Sequence, residues 1–587
     1  MTHDQIMLVQ GATTTSNSMV HEDAQARESA HANNHADNRS GYDVILVGAG
    51  IAGSALATSL ARAGRRVLVL ERDMSEPDRI VGELLQPGGV RALQLLGLED
   101  ALDGIDAVPA EGYDIFLSPR EHVKIQYPHM AELPTRYGRS EPLGPDMHYA
   151  GRSFHHGRFI MALRSRMQAQ PNVSVVEAAV TSLVHDLRDR RVVGVRTATS
   201  DVYHAPVTIV ADGIFSKFRK EYGGAYKPEI RSHFVGIELP PDSVLTPKHG
   251  HVILNQKAAK RVAPGKSVGP ALVYQIGSDA TRLLVDVPGP VLPSVSNGDL
   301  QRYLSEVVVP CLPEKIGVAL TKRLADHTRL RTMSNSFLPP SMQGMLQHQR
   351  GLILVGDAMN MRHPLTGGGM TVAFWDCVYL THILGSGAWS PLDGFDNTFP
   401  VPASARDLSD WTSLKPLLRA WHWKRKKLAS VINILAMALY SLFGVPNDNL
   451  TILRAGCFRY FECGGDCVRG PISLLGGLAP DPMLLVYHFF AVAVYSVRLM
   501  FRGDLYATGG EKSQIQRPPL TTWPLLCVRA LVVMAYACYV IFPIIYTEIR
   551  TNIATNQRAW LWPSCLALGV AAVSYTHLRA HETRGNL

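Results

Sequence analysis

Three glycines at the spacing Gly48-x-Gly50-x-x-Gly53 follow the apolar run Val44–Val47 and open a helix-prone stretch. The spacing suits a pyrophosphate: the first glycine permits a tight turn, the second lets backbone approach the phosphates, and the third packs helix on strand. The helix N-terminus adds partial positive charge. Glu71, eighteen residues past Gly53, closes a second apolar strand and is the expected acceptor for a ribose hydroxyl; a ribose 2′-phosphate would call for a basic group there. Arg79 follows within the Gly- and Pro-containing stretch 76–89, where its guanidinium can neutralise phosphate oxygens in bidentate fashion. A helix is expected from Val90.

Later segments extend this site. A buried strand leads into Asp212-Gly213, by itself an ordinary strand end. Another strand delivers Gly356-Asp357, and after Pro364 the run Gly367-Gly-Gly-Met370 opens a further helix whose N–H groups can face a second phosphate or a flavin ring. A nicotinamide site would leave this second glycine-rich start unused, so the expected cofactor is FAD. Arg164 falls one position beyond Leu163 on a helix and reads as a solvated surface arginine. His155 and His156 read as structural residues at the start of that helix.

The elements holding these residues alternate between strand and helix from Gly41 to about Leu384, with Pro-rich interruptions near 240–293 and 336–341. That pattern predicts an α/β fold of two interleaved lobes. The length of 587 residues suggests about three or four structural units. A net charge of +8, from 58 basic and 50 acidic residues with no dense basic block, argues against nucleic acid as a partner. Eight scattered cysteines form no disulfide framework, and Cys463-Gly-Gly-Asp-Cys467 lacks a second pair at ligand spacing, so no metal is assigned. Residues 1–40 read as a disordered polar tail without a signal peptide. Beyond about residue 428 come apolar runs at 431–445, 483–497, 523–546 and 560–573, which predict membrane-associated helices lying on the lipid more readily than a clean span. Residues 573–587 lose the pattern and read as a non-native tail.

The early glycine motif, the middle Asp-Gly and the late Gly-Asp-Ala with Pro364 resemble the FAD-containing, aromatic-hydroxylase-like monooxygenases. Longer segments are similar to the squalene monooxygenase (squalene epoxidase) family: Leu84-Leu-Gln-Pro-Gly-Gly89, Phe154-His-His-Gly-Arg-Phe-Ile-Met161, Phe215-Ser-Lys-Phe-Arg-Lys220, Ser336-Phe-Leu-Pro-Pro340, the run 360–374, Val431–Tyr440, Gly464–Cys467 and His488–Tyr495. The likeness covers about residues 41–550. It implies a Rossmann-like FAD-binding domain (41–112, 150–225 and 335–385) interleaved with a β-rich substrate domain (113–149 and 226–334). A helical region at 386–470 and C-terminal membrane-associated helices at 471–572 would follow.

Carried over by position, the resemblance implies FAD contacts at Ile51, Ala52, Glu71, Arg72, Arg79, Leu84, Arg164, Val180, Asp357 and Met370, beside the glycines. Tyr113, otherwise a half-buried aromatic, would line the squalene pocket near the flavin. The chemistry is centred on the flavin and requires no catalytic side-chain dyad. The implied reaction is epoxidation of squalene to (S)-2,3-epoxysqualene with O2, in sterol biosynthesis, with electrons from NADPH–cytochrome P450 reductase. The expected location is the endoplasmic reticulum or microsomal membrane, with the catalytic domain facing the cytosol and membrane lipid as a partner. Animal members carry apolar N-terminal segments where this chain has its polar tail, so attachment rests on the C-terminal helices. The competing readings are a flavin-dependent reductase of isoprenoid double bonds, an NAD(P) dehydrogenase, and a membrane scaffold with a vestigial nucleotide fold.

Overall fold

The computed structural model describes residues 41–118, 121–132, 148–222, 228–254, 268–326, 329–338, 349–393, 400–444, 448–504 and 517–550. The expected polar tail, the apolar run 560–573 and the suspected non-native tail lie outside the described residues. Short runs form a five-stranded parallel sheet, ordered Leu352–Leu354, Val207–Val210, Val44–Val47, Val67–Glu71, Val173–Glu177, apolar and buried in its inner strands and half-exposed at the Val173–Glu177 edge. The inner runs do not alternate in polarity because both sheet faces are covered, by helix Ile51–Arg62 and by a three-stranded antiparallel sheet of Val180–His185, Val192–Thr197 and Val202–His204. The first strand sits at the centre, and its neighbours on the two sides come from different parts of the chain. The crevice at the strands' carboxyl ends therefore opens where the winding reverses.

A seven-stranded sheet is ordered Arg331–Phe337, Glu229–Leu239, Thr281–Pro288, Ala271–Gln275, His249–Ile253, Gly112–Ser118, Glu121–Gln126. The chain enters it at Gly112, leaves after Gln126 and returns at Glu229, so the two lobes are interleaved. The expected boundary at 335 falls inside a strand: Asn335 pairs with Ser232, and residues 331–337 belong to this sheet. Helix Glu314–Ala325 covers one face with Ile316, Leu320 and Leu324. The helix expected from Val90 begins at Pro87, a favourable first helical position because its missing N–H would have no intrahelical partner.

Three long helices follow these two lobes. Among the described residues, Trp411–Phe443, Pro482–Arg502 and Leu520–Tyr546 are long and apolar enough to cross a membrane, and their most apolar windows are 72%, 33% and 17% buried in protein. The first is thus a core element, while the other two present Met483, Tyr487, Val494, Leu525, Val528 and Leu531 outward. Neighbouring residues on a helix point about 100° apart, so one helix can grip two partners. Arg425 makes a buried two-pronged pair with Asp376 of helix Gly369–Leu384, at 2.6 and 2.8 Å. Lys426 pairs with Glu548 of the last helix, which also accepts from Asn433 at 2.9 Å.

Candidate functional site

A cavity of about 600 Å³ opens at the crevice of the parallel sheet and extends against the seven-stranded sheet. Its lining includes Gly48, Gly50, Ile51, Ala52, Glu71, Arg72, Arg79, Leu84, Arg164, Val180, Asp357 and Met370. Gly53 and Tyr113 stand behind the lining. Gly53 is a packing position: a Cβ there would lie 1.8 Å from the Gly48 carbonyl oxygen. At Gly50 a Cβ would meet no atom of the described residues within 4 Å, because the backbone faces the open cavity. Gly48 takes a φ of +104°, a conformation L side chains resist.

Around that turn the polar groups are tightly held. The Ala49 N–H donates to Glu71 at 2.6 Å. Arg164, expected at the surface, is buried. It donates to the Ala49, Ser75 and Asp73 carbonyls at 3.0, 2.9 and 3.1 Å, tying the glycine turn to the loop after Glu71. Replacing it with Met removes three charge-assisted bonds without creating a cavity, and should weaken binding of the expected FAD by at least about tenfold, read by quenching of flavin fluorescence. A change under about twofold would contradict this clamp role.

Asp357 opens onto the cavity; burial pushes its carboxyl above the usual range while Arg362, Arg79 and Arg219 pull it down. Arg219 donates to the Asp357 carbonyl at 2.7 Å, and Arg362 to the Asn360 and Gly368 carbonyls at 2.9 and 3.3 Å. Arg362 thus braces the second glycine-rich turn, and Arg219 the Gly356-Asp357 turn before it. His156 starts its helix, contacts the Gly82 carbonyl at 3.0 Å, and is pushed down to about 4 by burial, so it is neutral. On the seven-stranded-sheet side the wall has an apolar patch of Phe234, Leu272, Leu284 and Met333, joined by Val81, beside Tyr274, Ser334 and Ser336.

The family pattern described as Squalene epoxidase matches residues 204–508, and that described as FAD dependent oxidoreductase matches 43–259. The squalene epoxidase erg1 of Aspergillus fumigatus is 42% identical over 533 residues, covering 89% of this chain and 96% of that one. The chain belongs to the squalene epoxidase family. The squalene monooxygenase of Mus musculus, 40% identical, covers 86% of this chain and 78% of its own length. The flavin-dependent brominase Bmp2 shares the fold at a TM-score of 0.53 with 17% identity, over 78% of this chain and 100% of that one. The cofactor is FAD, and the glycine cradle with its open face at Gly50 fits it.

For a squalene epoxidase family member, several wall residues stand out that the sequence left unassigned. Asp212 and Gly213 line the cavity; their Asp-Gly ending was visible, but the strand end gains meaning only beside Gly48. Glu83 is 1% exposed and accepts both prongs of Arg282 at 2.9 Å, with the Tyr274 hydroxyl 3.4 Å away. Burial raises Glu83 to about 7 against the pull of Arg282. Tyr113, implied above as a pocket residue, is 8% exposed and does not border the cavity: the Gln86 amide, also behind the lining, donates to its hydroxyl at 2.5 Å and to the Thr366 carbonyl at 2.8 Å, and Tyr127 donates to the same Gln86.

Proposed function

We propose that this chain epoxidises squalene to (S)-2,3-epoxysqualene, with O2 as co-substrate, at FAD held in the 600 Å³ cavity. The observation that carries the reading is a single cavity that combines two glycine-rich turns and their cations with an apolar wall from a separate sheet. When bound, FAD supplies the activation of oxygen. The chain supplies binding, orientation and dryness. The Gly48–Gly53 turn and Arg79 would hold the pyrophosphate, Glu71 and Arg72 the adenosine ribose, and Ile51, Ala52, Leu84, Arg164, Val180, Asp357 and Met370 the remaining surface of the cofactor. Phe234, Leu272, Leu284 and Met333 would hold an elongated hydrocarbon and keep water out. Tyr113, through Gln86, would set the wall where squalene meets the flavin. No side chain has to act as acid or base on an alkene.

In the same reading the FAD-binding domain comprises 41–112, 150–225 and 335–385, with the boundary near 335 moved past the end of strand Arg331–Phe337. The substrate domain comprises 113–149 and 226–334, extended to that strand, followed by a helical region at 386–470 and membrane-associated helices at 471–572. One dinucleotide fingerprint supports an external electron donor, NADPH–cytochrome P450 reductase. The outward apolar faces support attachment to the cytosolic side of the endoplasmic reticulum membrane.

Membranes carrying the protein, given squalene, O2, NADPH and the reductase, should form the epoxide with matching oxygen uptake. Product formed without oxygen uptake would favour a reductase of isoprenoid double bonds, and purified protein without a flavin absorption band would remove both readings. Leu525 and Leu531 are 71% and 72% exposed. Changing both to Asp should move the protein from floated vesicles to the soluble fraction, because burying a charge among acyl chains costs several kcal/mol.

A further inference from the structure

His363 stands in the cavity wall just before the glycine-rich turn, and the reading above gives it no task. Its ring is 1% exposed and lies over Tyr440, with centroids 4.2 Å apart. The two ring nitrogens serve different lobes. Nδ1 accepts the Leu365 N–H at 3.3 Å and so caps the turn Pro364–Thr366, which leads into Gly367 and the helix from Gly369. Nε2 lies 3.1 Å from the Ser232 hydroxyl of the seven-stranded sheet. Since Nδ1 is an acceptor, the neutral ring carries its proton on Nε2 and donates it to Ser232. Burial beside Arg231 holds the ring neutral, pushing it down to about 3.

Ser232 is itself fixed. The Asn335 amide donates to it at 3.1 Å and to Asp286 at 3.0 Å, and Asp286 also bonds Ser232. Strand alternation gives this polar trio its meaning. Ser232, Asp286 and Asn335 each stand two residues along their strands from Phe234, Leu284 and Met333, hence on the same sheet face as the apolar wall. One imidazole therefore spans the seam between the flavin-side turn and the sheet that bears the substrate wall.

We propose that His363 is a positioning residue that sets the spacing between the cofactor turn and the substrate wall, one ring nitrogen holding each. This rests on the flavin reading of the cavity but goes beyond it, and its two halves separate experimentally. Asn at this position can accept the N–H two residues on, as in an Asx turn, but is too short for Ser232. Gln offers an N–H where Nε2 stood and is a poor cap.

The experiment measures FAD affinity, squalene KM and amide hydrogen exchange across 364–369 in the full-length protein. His363→Gln should weaken FAD by about fivefold and speed exchange in the turn, with KM within about twofold. His363→Asn and Ser232→Ala should leave FAD affinity and turn exchange close to the parent and raise KM by about fivefold. If all three variants shift every readout together, or none, His363 is packing against Tyr440 and the proposal is overturned. If the parent itself fails to bind FAD, the flavin reading falls while the exchange pattern still decides the fate of the His363 cap.

Discussion

Gly50→Ala is expected to yield a folded protein that has lost its flavin, with FAD affinity down by at least about 100-fold. The backbone at Gly50 has φ −85° and ψ −158°, a conformation alanine adopts without strain, and the added methyl meets none of the described protein atoms. It projects instead into the cavity, where the proposed function places the pyrophosphate. The melting temperature measured without FAD should stay close to that of the parent, because the change is worth at most about 0.5 kcal/mol when the site is empty. Gly53→Ala is the contrast: its methyl would fall 1.8 Å from the Gly48 carbonyl oxygen, so the helix and strand must part and little soluble protein should form. A Gly50→Ala protein that retained FAD at parental affinity would contradict the placement of the phosphates at this turn.

The second large effect is expected at the Glu83–Arg282 pair. Arg282→Met leaves a buried carboxyl without its two-pronged partner and should cost about 3–5 kcal/mol, seen as a lower midpoint in thermal inactivation of the holoenzyme. Adding Glu83→Gln should recover most of that loss, because the cost lies in the orphaned charge more than in the lost attraction. The pH dependence has a defined sign. Glu83 is raised from 4.5 to about 7 in the folded protein, so its share of stability is full below pH 4.5 and is lost as pH rises through 7. Without Arg282 the carboxyl rises further, and the variant's deficit should be larger at pH 8 than at pH 5. An equal deficit at both values would mean that Glu83 does not titrate in this range.

The legible parts of this chain are those where local chemistry dictates sequence. A turn that must admit a phosphate needs glycine at fixed offsets, and a strand buried on both faces must be continuously apolar, so the first strand, the glycine turn and Glu71 could be read in order along the chain. Arg164 shows the converse. Its position after Leu163 suggested solvent, but its partners are carbonyls some ninety and more residues away in sequence, and nothing local announces them. His363 is only half legible: the Leu365 N–H lies two residues on, but Ser232 comes from a strand of the other lobe, far off in sequence. Asn335 sits in a strand that the boundary expected at 335 cuts in two, because Ser334-Asn335-Ser336 is polar and only its pairing with Glu229–Leu239 reveals the sheet. The helix at 411–444 is apolar enough to pass for a membrane element, and tertiary contacts alone show that most of its apolar face is spent on protein.

That helix has a mechanical consequence. Gripped by Asp376 on one side and Glu548 on another, it joins the cavity-lining helix Gly369–Leu384 to the last apolar helix as a bracket rather than a tether. In the membrane-attached state proposed above, the cavity keeps one height and one attitude relative to the bilayer. Lipid-dissolved molecules then meet it by lateral diffusion in two dimensions, and the frequency of productive encounter is governed by membrane viscosity and the molecules' surface density rather than by their vanishing solubility in water.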